Sequence, residues 1–165
     1  MMADVTLPDN ATSGTVVAAI SITMSDGSDF EGTLEASPPD TVDIVGRNLV
    51  TARPMTTADG GLHTWTVKAT QDGEEAEGTL DVEIVPVPTT VTFDPPNVRL
   101  PDNATDGTFL SEVAVAMSDG SEFTGSLETS MPGTVRVNDV DELELLRDLT
   151  SADVGAYSLV VTTAD

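Results

Sequence analysis

Apolar and polar residues alternate along several short stretches of the chain. A period of two places successive side chains on opposite faces of an extended strand, whereas a helix repeats every 3.6 residues. The alternation is clear in residues 15–24, 62–70 and 76–85. In the first stretch it places the following residues on one face: Val16, Ala18, Ile20, Ile22 and Met24. The pattern predicts strands with one buried face.

The breaks between these stretches contain glycine, proline and aspartate, at roughly the 8–12-residue spacing of a β-sandwich. Two further strands are predicted at 41–45 and 48–52. The Asp26-Gly27 pair predicts a tight hairpin turn, because glycine tolerates the positive φ angles that such a turn requires. Residues 140–149 fit either a helix or an extended insertion followed by a strand. The fold class predicted from these patterns is all-β.

Two halves of the chain repeat each other. The sequence Leu-Pro-Asp-Asn-Ala-Thr at 7–12 recurs at 100–105, an offset of 93 residues. Between residues 7–44 and 100–137, 21 of 38 aligned residues are identical. The offset becomes 94 further on, which indicates one inserted residue near 139–144. This length suits one small independent domain rather than a solenoid repeat.

The repeat therefore predicts two domains. We place the first at residues 1–87 and the second at residues 88–165. They meet near Pro86-Val87-Pro88, where the two prolines stiffen the connection.

The second repeat contains Asp153-Val-Gly-Ala-Tyr157-Ser-Leu159. It resembles the Asp-x-Gly-x-Tyr-x-Cys signature of immunoglobulin-like domains, with leucine at the cysteine position. The resemblance implies that Asp153 and Tyr157 are structural residues and that the Tyr157 hydroxyl bonds back to nearby backbone in a tyrosine corner. In the first repeat His63 and Trp65 take the tyrosine and leucine positions, so that copy departs from the signature. Trp65 is expected to be a structural core residue.

The order of motifs in each repeat is similar to that of bacterial cadherin-like or immunoglobulin-like repeats. Cadherins bind calcium between domains through a Pro-Glu-Asn glutamate, an Asp-Arg-Glu motif and an acidic linker. Asp9 and Asp102 take the glutamate position here, and Asp72 and Asp165 end the corresponding segments. The resemblance makes these four aspartates candidate calcium ligands. The linker ligands are missing and Pro-Asp-Asn also fits an Asx-type turn, so we expect no cofactor and keep calcium as the alternative.

The composition excludes several classes of partner and of catalytic or metal site. The chain has 29 Asp and Glu residues against 6 Lys and Arg residues, a formal net charge of −23. Nucleic acids and anionic membranes attract clustered basic residues, so neither is an expected partner. There is no cysteine, and His63 is the one histidine, which excludes thiolate nucleophiles, cysteine zinc sites and two-histidine metal motifs. We expect a protein that is not an enzyme.

The second repeat stops at residues 163–165, where the first repeat continues through a turn into the strand at 76–85. We therefore expect the second sandwich to lack its last strand and to expose an open edge with unpaired backbone groups. A strand from another subunit, or from elsewhere in the chain, would fill the gap. The alternative is that the chain is a fragment of a longer repeat array. The expected partners are other protein subunits, bound by strand addition at the second domain in an oligomeric assembly.

Two functional classes fit a pair of such domains. One is a structural protein of a bacteriophage particle, either a capsid decoration or a tail or fibre protein located on the virion, because immunoglobulin-like domains resembling these recur on capsids and tails. The other is a fragment of a bacterial surface adhesin with cadherin-like repeats, located at the cell surface and stiffened by calcium. Family analogy favours the first class, and calcium dependence separates the two.

Overall fold

Strands account for all the regular structure of residues 4–164 apart from two short 3-10 turns. The computed structural model describes residues 4–164. Contacts divide the chain into two units, Met1–Val87 and Pro88–Asp165, which we call unit 1 and unit 2. Each unit has its own buried cluster of apolar side chains between two sheets. The predicted all-β sandwich is confirmed.

Unit 1 has seven strands and one 3-10 turn among its described residues: β1 (Val5–Pro8), β2 (Val16–Ala19), β3 (Thr33–Ser37), β4 (Val42–Val45), β5 (Asn48–Thr51), the turn Thr57–Asp59, β6 (Gly61–Gln71) and β7 (Glu74–Val85). One sheet has the order β1-β7-β6-β3 and the other the order β2-β5-β4. β1 pairs with β7 in parallel, and the other pairs are antiparallel. Trp65 and Val82 are buried between the sheets with Leu49.

Unit 2 has six strands and one 3-10 turn among its described residues: β8 (Pro88–Asp94), β9 (Phe109–Met117), β10 (Ser126–Thr129), β11 (Val135–Val137), β12 (Glu142–Leu145), the turn Ser151–Asp153 and β13 (Val161–Ala164). The sheets have the orders β11-β12-β9-β8 and β10-β13. Residues 140–149 contain strand β12 and no helix. The inserted residue lies in the β11–β12 turn. Val137 pairs with Leu143 across that turn, with five residues between them, whereas the equivalent pair Ile44 and Leu49 has four residues between them.

A duplicated β-bulge changes which side chains of β2 and β9 face inward. The pairing of β2 with β5 shifts between Val16 and Ala18, and β9 shows the same shift against β12. A bulge adds one residue to a strand and reverses the alternation before it. The prediction that Val16 lies on the inward face is therefore wrong: Val16 and its counterpart Phe109 are both exposed. Val17 packs against the unit 1 core instead.

The Asp-Gly turns do not close hairpins. β2 pairs with β5, whereas β3, the next strand along the chain, pairs with β6 in the other sheet. The turn at Asp26-Gly27 therefore lies on the crossing between the sheets, and this part of the sequence prediction is wrong. The turn itself forms as expected, with Gly27 at φ 77° and the Ser28 amide donating to Asp26 Oδ1 at 2.9 Å. The Ser28 hydroxyl also donates to Asp26 Oδ1, at 2.7 Å, and these two bonds, the hydroxyl's first, lower the pKa of Asp26. Asp119 makes the same turn in unit 2.

Gly32 provides a test of the packing between β3 and β6. A Cβ atom at this position would overlap the Thr70 carbonyl oxygen and lie 2.8 Å from Gln71 Cβ. Backbone cannot move aside cheaply in a paired sheet, so we expect Gly32→Ala to lower the free energy of unfolding of unit 1 by about 1–3 kcal/mol. Urea unfolding followed by fluorescence measures this, because Trp65 is the one tryptophan and is buried in unit 1.

Gly78→Ala is the matched control. Gly78 lies within β7, and a Cβ atom there would have no neighbour within 4 Å. Alanine should be tolerated in that open position and should leave the urea midpoint unchanged or slightly raised. Equal urea midpoints for Gly32→Ala and Gly78→Ala would show that an added Cβ atom at residue 32 does not destabilise unit 1.

Candidate interaction site

The strand β6 and its counterpart in unit 2 differ in length because their neighbours differ. Residues 155–164 match 61–70 at the offset of 94. In unit 1, residues 61–65 form backbone pairs with β7 alone, since β3 pairs with β6 from Thr66 onwards. Within the described part of unit 2 no strand stands in the place of β7, and residues 155–160 are irregular. β13 contains only the residues that pair with β10, Val161–Ala164.

The strand β1 has a counterpart with the same difference. Residues 98–101 match 5–8 at the offset of 93, and residues 7–12 are identical to 100–105. In unit 1 this segment pairs with β7 in parallel, and the amide of Asp9 donates to the carbonyl of Val85 at 2.9 Å. Residues 98–100 are irregular in unit 2. We call residues 98–101 and 155–164 together the open edge.

The open edge leaves apolar side chains in contact with solvent. Val98 is 42% exposed and Val160 is 55% exposed, and their counterparts Val5 and Thr66 are half-buried. A core position is also more exposed in unit 2: Leu7 is buried, and its counterpart Leu100 is only half-buried. Burial of such surface is favourable by roughly 25 cal/mol per Å². A groove of about 380 Å³ between β8 and β13 lies beside this edge.

Trp65 and its counterpart Leu159 show the same difference. Trp65 is 1% exposed in the unit 1 core, whereas Leu159 is half-buried. The tyrosine corner is not formed in this environment. Tyr157 lies in the irregular part of the open edge and is 62% exposed, with its ring against Gly155. That prediction is therefore wrong, because the corner requires a formed strand at this point.

Arg99 lies in the open edge and has no ion-pair partner among residues 4–164. Four of the six basic residues form ion pairs with carboxylates: Arg53, Lys68, Arg136 and Arg147. Arg47 lies over the Phe30 ring at 5.2 Å and donates to its carbonyl oxygen. Within residues 4–164, Arg99 makes no ion pair, hydrogen bond or ring contact. In a chain of net charge −23 this leaves one exposed cation beside an unpaired sheet edge.

An arginine–aspartate pair that was not predicted from the sequence holds the connection from β5 to β6. Arg53 donates twice to the Asp59 carboxylate, at 2.8 and 2.6 Å. The backbone amide and the hydroxyl of Thr56 also donate to Asp59 Oδ2, at 2.8 and 3.0 Å. These bonds fix the 3-10 turn before β6, as a capping box fixes the start of a helix. The Arg53 guanidinium holds the pKa of Asp59 well below its usual range.

Unit 2 repeats the arrangement with Arg147 and Asp153. Arg147 donates to Asp153 at 3.0 and 2.6 Å, and the Thr150 amide donates at 2.8 Å. The pKa of Asp153 is lowered chiefly by Arg147. Asp153, selected through its resemblance to the immunoglobulin signature, thus holds the turn before the open edge. The missed signal was an arginine six residues before the aspartate in both repeats.

Asp9 and Asp72, the two candidate metal ligands of unit 1, do not come together. Asp9 is buried beside the last residue of β7, whereas Asp72 lies in the turn before its first residue. At about 3.3 Å per residue, a twelve-residue strand separates them by roughly 35–40 Å. Asp102 is exposed in unit 2, and Asp165 lies outside the described residues. No group of three acidic or histidine side chains suited to a metal ion occurs in residues 4–164. His63 bonds the Asp59 carbonyl oxygen at 2.6 Å, which fits a packing role.

Comparisons with known proteins give matches to solved structures. No protein-family model and no curated protein matches the chain. Human protocadherin-24 EC1-2 is 11% identical, with a TM-score of 0.46 over 97% of this chain and 88% of that chain. Chicken VE-cadherin EC1-2 is 10% identical, with a TM-score of 0.44 over 99% and 89%. Human CDH23 EC21-23 is 20% identical, with a TM-score of 0.43 over 89% and 51%. These are similarities of fold.

The chain is a tandem pair of immunoglobulin-like, cadherin-like β-sandwiches. The sheet orders of both units, and in unit 1 the parallel pairing of β1 with β7, define this architecture. The described residues contain no helix with the length and apolar character needed to span a membrane.

The arginine–aspartate pair predicts a pH-dependent stability. We expect Asp59→Asn to lower the free energy of unfolding of unit 1 by about 1 kcal/mol at neutral pH, a modest value because the guanidinium is partly exposed. Because the folded-state pKa is lowered, the contribution is complete well above the ordinary value of 3.8 and is lost as pH falls below it. The difference in free energy of unfolding between the unmodified chain and Asp59→Asn should therefore become smaller in acid. Urea unfolding followed by Trp65 fluorescence measures it.

Asp29→Asn controls for the loss of one negative charge, since Asp29 is exposed on the same unit. It should leave the urea midpoint nearly unchanged across this pH range. A constant difference between the chain and Asp59→Asn down to about pH 2 would contradict the assigned role of the carboxylate.

Proposed function

We propose that the chain is a non-enzymatic structural protein that binds other protein subunits through the open edge of unit 2. The single observation that carries the proposal is that edge: residues 98–100 and 155–159 lie outside any strand pairing, and the side chains of Val98, Tyr157 and Val160 are exposed there. Such edges bind added strands through main-chain hydrogen bonds, and neighbouring pockets select the side chains. The high negative charge elsewhere opposes non-specific association and directs binding to this surface.

We propose further that the assembly is a bacteriophage particle, in which the chain serves as a capsid decoration or as a tail or fibre protein. The resemblance of both repeats to immunoglobulin-like domains supports this role. So does the separation of Asp9 and Asp72 at opposite ends of β7, which leaves unit 1 without a convergent set of calcium ligands. Turns held by arginine–aspartate pairs fix the connection into β6 in unit 1 and into its counterpart in unit 2 without a metal ion.

The second candidate is a segment of a bacterial surface adhesin with cadherin-like repeats, located outside the cell. The order of motifs in the two repeats and the aspartates at positions 9 and 102 favour it. The two candidates differ in where the chain resides and in whether calcium stabilises it.

Location provides the direct test of the proposed function. Phage particles and cell envelopes from the producing culture are separated on a density gradient, and the chain is quantified by peptide mass spectrometry. We expect the chain to co-sediment with particles at a constant ratio to the main shell protein. Recovery from the cell envelope alone, with none in the particle band, would overturn the virion role and favour the adhesin.

Calcium dependence separates the two candidates independently. We expect the melting temperature of the purified chain to be the same with excess chelator and with millimolar calcium, because a ligand stabilises a fold only by binding to it. Magnesium at the same concentration controls for ionic strength. A rise of several degrees specific to calcium would contradict the proposal and support cadherin-like repeats.

A further inference from the structure

We propose that Asn10 and Asn103 are acceptor sites for N-linked glycosylation. Each asparagine begins an Asn-Ala-Thr triplet, and Asn-x-Ser/Thr is the acceptor sequence for this modification. The other three asparagines of the chain have no hydroxyl residue two positions later: Asn48, Asn97 and Asn138. The inference goes beyond the proposed function and depends on neither candidate for it.

Both triplets have the same backbone geometry. In unit 1 the Ala11 amide donates to the Pro8 carbonyl at 3.0 Å, which makes Asn10 the third residue of a turn. The Ala11 carbonyl accepts the Met55 amide at 2.8 Å, and this bond ties the triplet to the connection between β5 and β6. Unit 2 forms the same two bonds at the matched residues, at 3.1 and 2.8 Å. The triplet is therefore held in one conformation in both units.

The side chains that the modification requires are accessible. Asn10 and Asn103 are exposed, and within the part of the chain that the structure describes neither side-chain amide forms a hydrogen bond. Thr12 and Thr105 are exposed as well. The Thr12 hydroxyl lies 3.5 Å from the Thr15 hydroxyl, a long distance for such a bond. A transferase can therefore reach both groups without breaking a bond that holds the fold.

Asn138 shows how an asparagine with a structural role is used in this chain. Its Oδ1 accepts the amides of Val140 and Glu142, each at 3.0 Å. Asn10 and Asn103 do not bond their own backbone in this way, and neither has the positive φ angle at which asparagine is enriched. Neither local bonding nor backbone conformation therefore requires asparagine at these two positions.

The two copies of the segment separate what the fold requires from what it does not. The aligned parts of the repeats share only 21 of 38 residues, so many positions have changed. Ala11 is buried and Gly14 has a φ of 82°, which explains why both residues recur in unit 2. The side chains of Asn10 and Thr12 have no such structural role, yet both recur. An acceptor site requires these two side chains together.

The modification is a glycosyl transfer from a sugar diphosphate. The asparagine Nδ2 forms a bond to the anomeric carbon of the sugar, and the bond from that carbon to the diphosphate oxygen breaks. The diphosphate leaves with the electron pair, and Nδ2 loses one proton to a base of the transferase, so nothing is oxidised or reduced. The donor diphosphate is carried either by a nucleoside or by a lipid. The product places a bulky hydrophilic group on the surface of each unit.

Peptide mass spectrometry of the chain isolated from its producing culture tests the proposal. Trypsin cleaves after lysine and arginine and therefore places each of the five asparagines in a different peptide. We expect a sugar on Asn10 and on Asn103, located by electron-transfer fragmentation, and none on Asn48, Asn97 or Asn138. Unmodified Asn10 and Asn103, or a sugar on a hydroxyl group instead, would overturn the proposal.

Substitutions at the hydroxyl position test the acceptor sequence itself. Thr12→Ala should remove the sugar from Asn10, whereas Thr12→Ser keeps a hydroxyl and should retain it. Asn103 in the same molecules is the internal reference and should stay modified in both variants. The urea midpoints of both variants should match that of the unmodified sequence, because the exposed Thr12 side chain does not hold the fold. A sugar on Asn10 in Thr12→Ala would contradict the assignment.

The mass of the attached group identifies the donor. A single sugar or a series of sizes indicates a nucleoside diphosphate donor, and one larger discrete mass indicates an oligosaccharide transferred whole from a lipid diphosphate. Both results support the site. The outcome is also separate from that of the particle test. Modified chain found only in the cell envelope would remove the virion role and leave the site in place, and unmodified chain in particles would have the reverse meaning.

Discussion

A β-strand exists only where a neighbour accepts and donates its backbone hydrogen bonds, and this requirement governs the molecule. The two repeats provide an internal comparison, because similar sequences meet different neighbours. Residues 7–12 and 100–105 are identical, yet the segment that leads into them is a strand only beside β7. Residues 61–65 are extended because they pair with β7, and their counterparts are irregular. Local sequence permits a strand, and the partner decides whether it forms.

The same constraint acts at the other sheet of unit 1. β9 is nine residues long, and its second half pairs with β8, where Phe93 lies opposite Val113. β2 is only four residues long, and residues 20–24, which match 113–117, are irregular. Unit 1 has no counterpart of β8 among its described residues, and unit 2 has none of β7. The length of each strand therefore follows the neighbour that is present beside it.

Much of the fold follows from the sequence because alternation and repetition report directly on extended structure. The positions of β4 to β7 and the burial of Trp65 agree with the alternating pattern. The inward face of β2 could not be predicted, because a bulge reverses the alternation without changing composition. The pairing across the Asp26-Gly27 turn was missed because one turn sequence serves both a hairpin and a crossing between sheets.

The candidate site was only partly accessible from the sequence. Alignment of the two repeats predicts an open edge. That Arg99 has no ion-pair partner in residues 4–164 could not be predicted, because it depends on the positions of the carboxylates in the folded chain. The arginine–aspartate pairs were recoverable, since Arg53 and Arg147 each stand six residues before the paired aspartate. The expectation for Tyr157 was wrong because its signature presupposes a strand that has no neighbour here.

Amide hydrogen exchange of the two repeats under identical conditions tests the central claim most directly. Exchange at residues 61–65 is compared with exchange at 155–159, and exchange at 5–8 with exchange at 98–101, in one sample of the full chain. The dependence of strands on their neighbours predicts protected amides in unit 1 and rapid exchange at the matched positions of unit 2. Equal protection at matched positions would show that these segments form strands without β7 as a neighbour, and would contradict the account.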